Sequence, residues 1–216
     1  IVSNLAAFED YYHHQGREWE RYAMVKARII NMGTACEQSA RLMQIITPFV
    51  YRKYTDYSSM QSLRDMKALI MSEVHRKGGD QNIKLGDGGI REIEFIAQAC
   101  QLVHGGRDES LRVRELVTVY RKLAQKQYLP SDWVDDLLSA YQFLRNLEHA
   151  IQGLADQQTQ LIPDGELERQ RISWSMGYKS WQQTLSATQE HRARVSNCFA
   201  AFLEAEHDDS ALESEG

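Results

Sequence analysis

Apolar residues recur along this chain at steps of three and four, the spacing that places them on one face of an α-helix. Asn4 can cap a first helix through Phe8, Tyr11 and Tyr12, which Gly16 ends. Trp19, Tyr22, Ala23, Lys26, Ala27 and Ile30 continue as a second helix, running to Gly33. A third is predicted over residues 35–46, stopping near Pro48. Ser58 and Gln61 form a capping box for a helix with Met60, Leu63, Lys67, Ile70 and Val74 on one face. Arg76 and Lys77 suit the negative end of its dipole, and Gly78-Gly79 terminates it.

Beyond that point, helices are predicted from near Gly89 to Gly105-Gly106 and over residues 111–127, with Pro130 as the stop. Ser131 opens a long one with the stripe Val134, Leu137, Tyr141, Leu144, Glu148, Ile151 and Leu154 or Ala155. Residues 166–176 form a short one. Ser180 and Gln183 make a second capping box, followed by the strict stripe Trp181, Leu185, Thr188, Arg192, Val195, Phe199 and Phe202. Only Ile1-Val2 and Ile83-Lys84-Leu85 suggest short extended pieces. The pattern predicts an all-α fold, a bundle with antiparallel neighbours.

Composition supports this reading. The chain has 3 prolines in 216 residues, where average usage of about 5% would give roughly eleven. Net charge is −5, but residues 204–216 carry six carboxylates and no Lys or Arg. The remainder holds 25 basic and 24 acidic residues, too near neutrality for a nucleic-acid binder. The acidic end reads as a solvated tail or linker. No apolar run reaches the roughly 18 residues of a transmembrane helix. No charged stretch followed by an apolar one opens the sequence, so no secretory signal is expected. Cys36, Cys100 and Cys198 are scattered, with no C-x-x-C, and read as core thiols of a reducing, cytoplasmic compartment. The first residue is Ile1, so a processed chain or a piece of a longer one is expected.

One segment is not bundle filler: Asn82-Ile83-Lys84-Leu85-Gly86-Asp87-Gly88-Gly89-Ile90-Arg91-Glu92. Three glycines followed at once by a helix allow backbone N–H groups to converge on an anion, with Lys84 and Arg91 flanking. A plain loop and helix cap is the alternative, since neither a dinucleotide fingerprint nor a P-loop is present. In the following helix Arg91, Glu94, Gln98 and Gln101 make one polar stripe. Glu92 falls among apolar neighbours, where either the helix N-terminus and an Arg satisfy it or it faces a site. Glu92 and Glu94 diverge on a helix and cannot share a metal, and no metal site is predicted. His13-His14 read as surface residues. Arg145 and Glu148 are spaced for a structural ion pair. Lys67 and Arg192 interrupt apolar stripes, with snorkelling as the expected explanation.

The run Lys84-Leu85-Gly86-x-Gly88-Gly89-Ile90-Arg91-Glu92-Ile93-Glu94-Phe95 resembles the signature of bifunctional glutamine synthetase adenylyltransferase/adenylyl-removing enzymes. The stretch from Tyr11-Tyr12 through Gly16-Arg17-x-Trp19-Glu20-Arg21-Tyr22 to Lys26-Ala27-Arg28 is similar to the helical end of that family's nucleotidyltransferase domain. Tyr141-x-Phe143-Leu144-Arg145-x-Leu147-Glu148, Gln158-Thr159 and Ile162-Pro163 resemble its helical domain. The likeness spans almost the whole chain up to the acidic tail, and the Ile-Arg-Glu-Ile detail resembles the N-terminal, adenylyl-removing half.

The resemblance implies a remnant of the nucleotidyltransferase domain over residues 1–33, a helical bundle over 34–205, and an acidic tail or linker over 206–216. It implies removal of AMP from a tyrosine of glutamine synthetase by phosphorolysis in this half, and AMP addition from ATP in the other. Mg2+, ATP, ADP and phosphate are the implied cofactors, and glutamine synthetase and the PII signal protein the implied partners. The family's Gly-Ser turn and Asp-x-Asp are missing from this sequence. The metal-binding carboxylates are therefore expected upstream of Ile1, and this chain alone is expected to be inactive. Lys84, Gly88, Gly89, Arg91 and Glu92 are the implied phosphate- or nucleotide-proximal residues, with Lys26 and Arg28 as secondary candidates. The alternatives are the helical domain of PII uridylyltransferase, whose bundle carries a similar glycine-rich motif, and a non-catalytic regulatory interaction module. Adjacent His-Asp pairs would favour the uridylyltransferase, but the sequence's only one, His207-Asp208, lies in the acidic tail, which counts against it.

Overall fold

The computed structural model describes residues 4–30, 36–53, 81–154 and 159–212, with backbone alone for 36 and 205–212. Among these it holds eight α-helices and no strand: α1 (Leu5–His14), α2 (Glu18–Met24), α3 (Cys36–Val50), α4 (Ile90–His104), α5 (Leu116–Gln125), α6 (Ser131–Gly153), α7 (Glu166–Ser175) and α8 (Trp181–Leu212). The fold is all-α. The capping-box helix expected from Ser58 to Gly79, the Ile1-Val2 piece and Ala155 lie outside the described residues, as do the side chains of Cys36, His207 and Asp208.

The chain divides into two compact units, Ile1–Met66 with Ala97–Leu123, and Lys67–Ile96 with Ala124–Gly216. In the first, α1 and α2 pack on α3. Asn4 caps α1, its side chain accepting from the Ala7 amide at 2.8 Å. Helix α2 is shorter than its apolar pattern suggested. After Met24 the amides of Lys26 and Ala27 reach back only three residues, to the carbonyls of Ala23 and Met24, so the coil tightens and the helix ends. Helix α3 runs through Pro48 to Val50 rather than stopping before it. Ile45, Ile46, Phe49 and Val50 are buried while Pro48 is exposed. Their burial outweighs the one backbone bond that Pro48 cannot make, and its orphaned carbonyl partner can turn to water.

Leu111 belongs to a short 3-10 turn (Glu109–Leu111), and α5 starts only at Leu116. The reason is a competing partner. Buried Gln101 donates its side-chain amide to the carbonyls of Leu111 (2.6 Å) and Val113 (2.7 Å). Those oxygens are then spent outside any helical ladder.

In the second unit α6 packs along α8, and α7 touches both. Ile83, Leu147, Ile151 and Ile172 form a core cluster flanked by Phe143, Ile162, Met176 and Trp181. Ser180 accepts from the Gln183 amide, and Gln183 accepts from the Lys179 amide, a variant of the capping box that opens α8. The helix then carries into the acidic stretch as far as Leu212. Cys100 and Cys198 are buried free thiols, and burial with Asp136 and Asp132 nearby pushes the Cys198 thiol up to about 11. No described helix is long and apolar enough to cross a membrane.

Candidate functional site

The glycine segment is a rigid turn. Asn82 is buried, and its side-chain oxygen accepts the amides of Lys84 (3.0 Å) and Leu85 (2.9 Å). Asn82 also forms an isolated antiparallel bridge with Leu161: Ile83 donates to the Gln160 carbonyl, and Ile162 to that of Gln81, both at 3.0 Å. Residues 83–85, expected to be extended, instead form a turn that the Asn82 side chain closes. Gly88 has φ +68° and lies so close to α8 that a Cβ there would stand 2.1 Å from the Arg192 carbonyl oxygen. Only glycine meets both demands. Arg192 locks the other side of the contact, its Nε donating to the Asp87 carbonyl at 2.7 Å.

Apart from that of Asp87, the backbone amides of this turn are committed within the chain. Gly88 donates to Glu92 Oε2 at 3.0 Å. Gly89 donates to the Gly86 carbonyl, Ile90 to Ile83, Arg91 to Lys84 and Glu92 to Gly89. The expected backbone cradle for an external anion is thus filled from within, by the buried Glu92 carboxylate and by carbonyls. Glu92 is held at the start of α4, where the positive end of the helix dipole also favours it. What the turn offers outward is side-chain charge.

That charge gathers around Glu148. This α6 carboxylate is 2% exposed, and Lys84 Nζ lies 3.7 Å from its Oε1 while Arg145 NH1 bonds its Oε2. Arg91 pairs with Glu94 at 3.8 Å. Tyr141 lies within electrostatic reach of both pairs. Burial first, then the charges of Glu94 and Glu148, raise its hydroxyl above the ordinary value, against the opposing effect of Arg145. It stays protonated at neutral pH. The second unit therefore brings Lys84, Gly88, Gly89, Arg91, Glu92, Arg145 and Glu148 into one neighbourhood. Lys26 and Arg28 belong to the first unit, where both are exposed beyond the end of α2.

Sequence reasoning missed two of the residues that shape this site. Asn82 carried a readable signal, an Asn two residues before an amide that needs an acceptor. Tyr141 was counted as a stripe position and as part of the family-like motif, not as a site residue. Gln98 and Gln101 of the polar stripe are both buried. Among the described residues no group of three or more His, Cys, Asp or Glu side chains is placed to hold a metal ion.

The class defined by these features is a helical bundle that presents a fixed, cation-bearing turn. Residues 64–203 match the family model described as GlnD PII-uridylyltransferase, and residues 1–44 that described as Glutamate-ammonia ligase adenylyltransferase. The chain is 48% identical over 214 residues to the bifunctional glutamine synthetase adenylyltransferase/adenylyl-removing enzyme of Pseudomonas aeruginosa, covering 99% of this chain and 22% of the relative. The enzyme of the same name from Pseudomonas syringae pv. tomato is 50% identical over 91% of this chain and 20% of its own length. That from Nitrosococcus oceani is 44% identical, over 97% and 21%. The chain belongs to the family of bifunctional glutamine synthetase adenylyltransferase/adenylyl-removing enzymes, and its bundle falls within the GlnD-type family model. It spans about a fifth of the length of the curated relatives it matches.

Proposed function

We propose that this chain is the helical part of an enzyme that adds AMP to, and removes it from, glutamine synthetase, and that it serves the phosphorolytic, AMP-removing half. The observation that carries the reading is the 44–50% identity to enzymes of that name along nearly the whole chain. The uridylyltransferase alternative shares the bundle model, but the relatives that match nearly the whole of this chain bear the adenylyltransferase name. Glutamine synthetase and the PII protein are the partners, in the cytoplasm. ATP, ADP and phosphate are the small ligands of the whole enzyme.

Within this chain, Lys84 and Arg91 face the phosphate side of the reaction. Gly88, Gly89 and Glu92 form the frame that fixes them, and Lys26 and Arg28 are secondary contributors. Mg2+ belongs to the complete enzyme, but the described residues do not fit it, so no step here runs through a metal. The chain alone is inactive, because the Asp-x-Asp of the chemistry is not in its sequence.

The test is Lys84→Ala and Arg91→Ala in the full-length enzyme, assayed for phosphate-dependent release of AMP from adenylylated glutamine synthetase. Each should lower kcat/KM about tenfold or more, the loss of one charge-assisted contact. Unchanged turnover with unchanged phosphate dependence refutes the assignment, and turnover by the isolated chain refutes its inactivity.

A further inference from the structure

Glu148 is spaced for an ordinary helix ion pair with Arg145, yet the structure gives it two cations from two different elements. Lys84 comes from the glycine turn and Arg145 from the preceding turn of α6. A carboxylate only 2% exposed costs several kcal/mol to bury unless it is compensated. Here one anion anchors two cations by their inner sides. The cations themselves are not buried: the Lys84 and Arg145 side chains are 32% and 36% exposed. Arg91 is 38% exposed, and its amide is bonded to the Lys84 carbonyl, so its backbone is fixed to the same turn. Lys84, Arg91 and Arg145 are balanced by Glu92, Glu94 and Glu148, but Glu92 and Glu148 are buried, so the partly exposed charges are the three cations and Glu94.

An arginine has five donors in a rigid fork, and a carboxylate bound from one side does not exhaust them. We propose that Arg145 is a third phosphoryl-binding side chain beside Lys84 and Arg91, and that Glu148 is the positioning residue that holds Arg145 and Lys84 in place. The ligand chemistry is the oxygens of a phosphoryl group, from inorganic phosphate or from a nucleotide diphosphate. This rests on the phosphorolytic reading above.

The test uses the full-length enzyme with Arg145→Ala, Arg145→Lys and Glu148→Gln, beside Lys84→Ala and Arg91→Ala. AMP removal is measured against inorganic phosphate, then with ADP as product inhibitor, and each variant's thermal melt is recorded. Arg145→Ala should raise the KM for phosphate, or weaken inhibition by ADP, about tenfold, with kcat changed far less. The first outcome makes inorganic phosphate the ligand, and the second the diphosphate. Arg145→Lys should recover part of the loss. Glu148→Gln should shift the same constant, although its side chain never meets the ligand.

A lowered melting temperature with both constants unmoved in Arg145→Ala and Glu148→Gln makes the pair structural and overturns the inference. If Lys84→Ala or Arg91→Ala still shifts a constant in that case, the phosphorolytic reading stands without it. If none of the variants does, that reading falls too. Should Arg145→Ala fail to fold, Arg145→Lys decides, because it keeps the charge and loses the fork. Unchanged constants there overturn the inference.

Discussion

Arg21 is 1% exposed, and its guanidinium reaches three groups at once. Nε donates to the Val50 carbonyl at 2.8 Å, NH2 to the Leu102 carbonyl at 3.1 Å, and NH1 pairs with Glu18 at 3.2 Å. It therefore ties together α2, the end of α3 and the end of α4 within the first unit. Truncation would leave two buried carbonyls without this donor and Glu18 without this partner. Arg21→Ala should cost about 3 kcal/mol or more, and Arg21→Lys should not restore it, because an ammonium cannot span the fork. Urea unfolding of the chain checks this, and a loss below about 1 kcal/mol contradicts it. The sequence did not announce Arg21, since one arginine in a short amphipathic helix looks like any surface cation. Glu148 was legible as a pairing position because its stripe is otherwise apolar. Its second partner was not, because Lys84 is distant along the chain and only tertiary structure brings it near.

At the scale of elements, periodicity was a good guide wherever burial and propensity agree. The limits of α4, α6 and α7 follow from capping and glycine signals together with the apolar stripes. Two of the misread ends are places where a longer-range force wins: burial of Ile45, Ile46, Phe49 and Val50 across Pro48, and capture of the Leu111 and Val113 carbonyls by Gln101. The glycine turn was visible as a turn but not as a self-satisfied one, because nothing local says that the Glu92 side chain folds back to the Gly88 amide. Gly88→Ala tests how far the turn depends on its contact with α8. A left-handed alanine that also meets the Arg192 backbone should cost about 2 kcal/mol or more. The readout is the thermal midpoint of the chain, and a shift within error would mean that the turn can move away from α8 freely.

Across the whole molecule, both units carry a histidine that resists protonation. Burial, then Arg107, lowers His104 in the first unit; burial, then Arg194, lowers His191 in the second. His191 also stacks on Phe143 at 4.5 Å, and its buried Nδ1 finds no hydrogen-bond partner among the described residues. In each case the unfolded chain binds the proton more readily than the folded one. The stabilising contribution is therefore complete above the unfolded value near pH 6.5 and is lost as pH falls below it. The melting temperature of the chain should drop between pH 7 and pH 5, and His191→Gln together with His104→Gln should flatten that slope. An equally steep slope in the double variant would assign the acid sensitivity to other groups.

The bridge between Asn82 and Leu161 has a kinetic consequence. Helical coils can nucleate within their own span, but this pairing waits until a loop of roughly eighty residues has closed. The strip of backbone that aims Lys84 thus takes its shape from partners synthesised much later. A nascent chain released before Leu161 would hold its first helices yet lack the strut that sets that lysine's direction.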